Sequence, residues 1–281
     1  MTNIDGEILS NNDSSGVNDS NRKLDRNNGR QKCNINGQNC NGDSFGAINH
    51  QGPVIQKIEC NFIQQTGDIP VPRWRHTSTV CNKSGKEVVF VYGGRNEKQL
   101  ALDCSYFLEP ATGEWTKVCS SGLHPGYRQS HSASLWNNNI IIAGGLDSDL
   151  LPLNSVHMLD IDTLVWKQLK LKLDFQPRYA HTAQVIDNLL VLIGGVNMSH
   201  QSPGVAVICL MSGACAEYQL PVADMKFLVM LQQHQMCYLG NGQFVILGGG
   251  GNCFSFGTHL NRSPFVLDVS QCLQHFRAIE S

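Results

Sequence analysis

The chain has 281 residues, 41% of them hydrophobic and 16% charged, with a formal net charge of −2. That length buries a substantial core in one or two domains, and the near-neutral balance carries no basic excess of the kind a nucleic-acid-binding surface displays. Met1 is not followed by the basic start and apolar core of a secretory signal. The longest apolar runs, VVFVY and NLLVLI, are too short to span a bilayer. Eleven cysteines, odd in number and without a CxxC pair, are expected to be small buried hydrophobes of a reducing compartment. The expectation is a cytoplasmic chain with no membrane segment.

Residues 1–50 are rich in Asn, Asp, Ser and Gly, and Phe45 is their only aromatic. Such a segment buries too little apolar surface to offset its chain entropy, so a disordered leader is expected. From about Val54 short strands alternate with turn signals, as in an all-β fold. The first strand, VIQKIECNF, stands alone. Its Cys60 lies 16 residues before His76, as Trp115 lies 16 before His131, so it reads as the outer strand of a blade whose beginning is absent.

Glycine pairs then recur after apolar strands at Gly93-Gly94, Gly144-Gly145, Gly194-Gly195 and Gly248-Gly249, spaced 51, 50 and 54 residues apart. A fixed period of that length marks a repeat architecture. An Arg-x-x-His opens each copy at Arg73/His76, Arg128/His131 and Arg178/His181, with Leu231/His234 as a degenerate fourth. Hairpin turns at Gly85, Asn137–Asn139, Asp187-Asn188 and Asn241-Gly242 separate the histidines from the glycines, using residues that tolerate positive φ. A third strand follows each pair, and a fourth carries Trp115, Trp166 and, in the third copy, Tyr218.

Four strands per period of about fifty residues make one blade of a β-propeller. The glycine pair, taken to end an inner strand, lets backbones approach. One aromatic per blade fills the wedge between twisted sheets. The pattern resembles the kelch repeat, in copies near 73–118, 128–169, 178–220 and 231–273. It predicts a kelch-type propeller over 54–276, of about four blades and an extra strand, which could close as a small ring but reads better as an arc cut from a larger propeller.

The run Gly248–Gly251 is not a dinucleotide loop, because the third glycine of GxGxxG and the helix that must follow are both missing. CFSFGTHL reads as a strand or rigid loop instead. Cys253 and His259 have no third orienting group for nucleophilic chemistry and no further ligands for a metal. Because GNCFSFGTHLN departs from the other repeats, Asn252, Cys253, Phe254, Phe256 and His259 form the candidate binding loop. His76, His131, His181 and His234 read as fold positions that satisfy a backbone group. Arg73, Arg128 and Arg178 are read as repeat positions whose default partner is an acidic side chain. KQLKLKLDF, with Lys167, Lys170 and Lys172, alternates as a solvated strand does. No GxxxxGK[ST], GxSxG, HExxH or S-adenosylmethionine loop occurs, so no catalytic, cofactor-binding or metal residue is assigned.

LGGGGNCFSFGTHLNRSPFVLDV, with KEVVFVYGG, LEPATGEW and PRYAHTA, resembles the kelch region of the tRNA wybutosine-synthesizing protein 4 family, leucine carboxyl methyltransferase-like enzymes. The resemblance spans roughly residues 55–275. It implies the propeller portion of an S-adenosylmethionine-dependent enzyme that methylates and methoxycarbonylates the wybutosine side chain of phenylalanine tRNA. Residues 1–50 cannot hold the methyltransferase domain, so no catalytic residue carries over, and the chain alone is expected to be inactive. It is expected to be a partial gene product, a truncated isoform or a separate subunit. The implied partners are a methyltransferase domain or subunit and phenylalanine tRNA. The competing reading is a stand-alone kelch adaptor for protein partners. A basic rim around Arg73, Arg128 and Arg178 would favour tRNA, and an apolar rim a protein. A kelch-fold copper oxidase would need a Tyr/His cluster and secretion, and neither is identifiable.

Overall fold

Residues 62–198, 204–220, 231–253 and 257–280 are described by the computed structural model. The orphan strand VIQKIECNF and the polar leader therefore fall outside the described residues, save Phe62. The remainder builds four blades in chain order.

The first blade runs from an inner strand outward: β2 (Thr77–Lys83), β3 (Lys86–Tyr92), β4 (Ser105–Glu109) and β5 (Glu114–Lys117), all antiparallel. A two-residue strand, β1 (Thr66–Gly67), lies parallel to β5 on its outer edge. The second blade repeats this with β7 (Ser132–Trp136), β8 (Asn139–Ala143), β9 (Val156–Asp160) and β10 (Val165–Gln168). The linker from blade one supplies β6 (Ser121–Gly122) along its outer edge. The third blade is β11 (Thr182–Ile186), β12 (Leu189–Ile193), β13 (Val205–Cys209) and β14 (Cys215–Tyr218). Asn137, Asp187 and Asn241 sit at φ 50, 56 and 53 in the first-to-second-strand turns, as their chemistry requires.

The fourth blade differs from its expected form. Its sheet has three strands, β15 (His234–Gly240), β16 (Gln243–Gly248) and β19 (Phe265–Asp268), and the chain then turns into helix α1 (Ser270–Glu280) instead of a fourth strand. Asp268 Oδ1 accepts the Ser270 N–H at 2.9 Å and starts the helix. Leu273 and Phe276, one helical turn apart, are buried against Val207, Phe244 and Ile246. A helix thus closes the last blade of an otherwise all-β fold.

Inner strands β2, β7, β11 and β15 lie side by side in that order. The glycine pairs therefore end the second strand of each blade and not the inner one. Apolar residues of facing blades form three cores, one per blade junction. In the first, Trp166 is buried against Phe90, with its ring centroid 5.6 Å from that of Tyr92, and its Nε1–H donates to Ser120 Oγ. Trp166 lies opposite Leu159, as Trp115 lies opposite Leu108. The matching position in blade three, opposite Ile208, is Cys215. Tyr218 pairs with Val205 three residues further along, so it is not the third copy of the tryptophan. The strand expected through Lys170 and Lys172 ends at Gln168; both lysines are exposed on the linker beyond it, as Lys167 is on β10.

Trp115 is only half-buried, with its Nε1–H on Gln65 Oε1. Trp166→Ala is expected to lower unfolding free energy by about 3–5 kcal/mol, and Trp115→Ala by less than half of that. Urea denaturation of both variants measures the contrast.

Candidate binding face

The blades come into backbone contact where their second strands end. Gly144 has φ +58, and a Cβ there would lie 2.6 Å from the Arg178 carbonyl of the next blade. No L side chain fits such a position. The second glycine of each of the first three pairs donates across the junction: Gly94 N–H to Arg128 O (2.9 Å), Gly145 to Arg178 O (2.9 Å) and Gly195 to Leu231 O (2.6 Å). Leu231 thus keeps the backbone contact at the degenerate arginine position, while its side chain is buried in the core between blades three and four.

The arginines are structural. Arg73, Arg128 and Arg178 each donate from Nη1 to the carbonyl of the first glycine of their own blade, Gly93, Gly144 and Gly194, at 3.0–3.2 Å. Arg128 and Arg178 are 1% and 0% exposed, so they make no basic rim. Of the three, only Arg178 has the expected acidic partner among the described residues, Glu217. Arg128 instead donates to Pro125 O and Ser155 Oγ. Its burial lowers its pKa to about 10, and it stays charged at neutral pH. Arg73 lies over the Tyr106 ring.

The histidines bind hydroxyls of the preceding blade and not the backbone groups expected of them. His131 Nε2 meets Thr77 Oγ1 at 2.8 Å, His181 Nε2 meets Ser132 Oγ at 2.9 Å, and His234 Nε2 meets Thr182 Oγ1 at 2.7 Å. Ser132 Oγ also lies 3.5 Å from Ala143 O. In each case the hydroxyl residue directly follows the preceding blade's histidine. His76 keeps a backbone partner, Arg73.

Beyond the glycine pairs of blades one and two a tight turn follows. Asn96 Oδ1 accepts the Lys98 and Leu100 N–H groups, and Asp147 Oδ1 accepts those of Asp149 and Leu151. Gln99 and Leu150 are held at φ 62 and 63 in these turns, a conformation costing about 1–2 kcal/mol for an L residue. In blade four the insertion is longer and folds into a hairpin, β17 (Gly250–Cys253) with β18 (Gly257–Leu260), which Asn261 ties to Gly248 O at 2.8 Å. Of the candidate loop, Asn252 and Cys253 lie in β17 and His259 in β18; Phe254 and Phe256 fall outside the described residues. Among the described residues no group of three His, Cys, Asp or Glu could hold a metal ion, and no helix is long and apolar enough to cross a membrane.

These turns make the rim apolar. Trp74, Leu100, Leu150, Leu151, Met198 and Leu260 are 39–68% exposed, with Arg95, Lys98, Asp147 and Asp149 interspersed. A mixed apolar rim of this kind suits a protein partner. Sequence reading singled out only the last loop. The signal for the others is an Asn or Asp three residues after the first glycine (Asn96, Asp147, Asn197), followed by exposed apolar residues.

A profile described as KLHDC2/KLHL20/DRC7 Kelch-repeats domain matches residues 54–202. The chain belongs to the kelch-repeat family. It is 39% identical over 201 residues to tRNA wybutosine-synthesizing protein 4 of Homo sapiens, covering 70% of this chain and 29% of that protein. The Gibberella zeae protein of that name is 26% identical over 236 residues, 76% of this chain and 23% of its own length. Kelch domain-containing protein 3 of Mus musculus is 29% identical over 154 residues, covering 54% and 39%. The kelch chain described here thus spans under a third of the wybutosine-synthesizing proteins it matches.

Burial of the histidine layer has a pH consequence. It lowers the pKa of His181 to about 3 and of His234 to about 4, from an ordinary 6.5, and that of His131 well below it. Below pH about 6.5 the unfolded chain takes up protons that the folded chain refuses. Stability is therefore complete above pH 7 and falls as pH drops from about 6.5 toward 4. Urea midpoints across that range should show this loss, and His181→Gln should make the slope shallower.

Proposed function

We propose that this chain is the non-catalytic kelch scaffold of a wybutosine-synthesizing tRNA methyltransferase and methoxycarbonyltransferase, and that its loop face binds the methyltransferase domain or subunit. The observation that carries the choice of partner is the apolar rim, together with the burial of the arginines that would otherwise have formed a basic one. The 39% identity to the human wybutosine-synthesizing protein supports the assignment to tRNA modification. S-adenosylmethionine belongs to the partner: the Gly248–Gly251 run leads into the β17–β18 hairpin and not into a helix N-terminus, so these residues do not fit a nucleotide cofactor loop. Phenylalanine tRNA is brought to the assembly chiefly by the catalytic partner, and the reaction takes place in the cytoplasm.

The test mixes the purified chain with a separately expressed methyltransferase domain of a wybutosine-synthesizing relative and follows binding by calorimetry. Binding is expected, and Leu150→Asp with Leu151→Asp should weaken it at least about tenfold, as loss of a buried apolar anchor does. Lys167→Glu with Lys170→Glu should leave it unchanged. Titration of the chain alone with S-adenosylmethionine should give no heat. A tight, salt-sensitive complex with phenylalanine tRNA and none with the domain would replace this reading with direct tRNA binding. Failure of both would leave the stand-alone adaptor.

A further inference from the structure

The two ends of the four-blade arc are unlike each other and complementary. Along the inner strands a backbone hydrogen bond passes from blade to blade: Ser130 N–H to Arg75 O, Ala180 N–H to Ser130 O, and Gln233 N–H to Ala180 O, each 2.9 Å. Arg75, Ser130, Ala180 and Gln233 all have φ of 52–57, so the same turn is repeated four times. Among the described residues the series ends with the Arg75 N–H at one edge and the Gln233 carbonyl at the other, neither with a protein partner. The glycine contact ends in the same way. Gly93, Gly144 and Gly194 abut a carbonyl of the next blade, whereas a Cβ on Gly248 would meet nothing within 4 Å.

The side chains at the two edges agree. On blade one, Val89 and Leu108 face outward and are half-buried. Their equivalents Ile140, Leu159, Leu190 and Ile208 are buried at blade junctions. Val80, beside them on β2, is 54% exposed. On blade four, Leu247 is 43% exposed although Tyr92, Ala143 and Ile193 at its position are all buried. Val266, also exposed, stands where Phe107 and Val207 are buried. No contact like that of neighbouring inner strands joins β15 back to β2 among the described residues. Among the described residues each edge is thus a blade-junction surface without its blade.

We propose that two copies of this chain associate head to tail, the blade-one edge of each on the blade-four edge of the other, and close a ring. The second copy supplies both missing halves at once. Its Gln233 carbonyl accepts the Arg75 N–H, and its Gln235, standing where Thr77, Ser132 and Thr182 stand in the other blades, presents an amide oxygen to His76. Two arcs bring the blade count to the upper end of the roughly 4–8 that propellers use. A contact between unlike edges closes only if its rotation completes a ring.

Light scattering on the full chain after size exclusion, over a hundredfold range of concentration, tests this. A mass of two chains is expected, with no growth beyond it. Val80→Asp and Leu247→Asp alter exposed positions at opposite edges, and circular dichroism checks that each variant folds. Each alone should dissociate at concentrations where the unaltered chain is dimeric, at least about tenfold more readily. Mixing the two should restore a dimer, because the intact blade-one edge of Leu247→Asp meets the intact blade-four edge of Val80→Asp. A single-chain mass throughout, larger assemblies, or a dimer indifferent to both substitutions would each overturn the proposal. A dimer lost in both variants but not restored on mixing would show like edges meeting like, and would equally overturn it.

Discussion

The close approach of backbones at the glycine pairs is the constraint on which the rest of the structure depends. Gly94, Gly145 and Gly195 each donate to a carbonyl of the following blade, and Gly93, Gly144 and Gly194 before them leave no space for a side chain. That approach fixes the distance between blades. The wedge left further out must then be filled by bulk, which Trp166 supplies at the first junction and α1 supplies at the last. The polar groups exposed by so tight a contact also need partners, and this accounts for the arginine layer. Each guanidinium turns inward to the glycine carbonyl it stabilises, so a residue type usually found at surfaces is spent on the interior.

The histidine layer follows from the same geometry. With blades this close, a ring nitrogen of one reaches a hydroxyl of its neighbour, and three such links connect the four blades. Their Nδ1 atoms are buried without a partner, a cost offset by keeping the rings neutral. Stability and pH response are therefore two results of one arrangement. The face that remains for recognition is made of the turns after the glycines. Asn96 and Asp147 fold these turns on themselves, leaving Leu100, Leu150 and Leu151 outward beside or at the positive-φ residues Gln99 and Leu150. Strain held in exposed apolar turns is a reason to connect this face, and not the packed arginine layer, with binding.

Much of this was legible in the chain itself. The period of the glycine pairs, the Arg-x-x-His opening and the Asn and Asp turns are local signals, because each reflects a conformation that only a few residue types adopt. Trp166 was legible as a wedge residue for the same reason, since its spacing from the glycines is fixed by strand length, whereas Trp115 at the same spacing is only half-buried. The third copy misled, because Tyr218 is aromatic but lies three residues past the true position, where the smaller Cys215 suffices. Helix α1 was missed although Leu273 and Phe276 have helical spacing, since three preceding repeats argued for a fourth strand. A repeat pattern is weakest as a guide at its ends, where a neighbour no longer enforces it.

The sequence by itself determined the family, the number of repeats and the residues that recur, because backbone conformation and strand spacing are written in short-range residue choices. Only the tertiary structure decided which way each recurring residue faces. Arg128 and Arg178 could have lined a rim or filled a core, and Trp115 and Trp166 are indistinguishable by pattern. Their environments differ because burial is set by what packs against a blade from across the junction, and that neighbour is about fifty residues away in the chain. The apolar character of the loop face is decided in the same way. It emerges when turns from separate repeats are brought together.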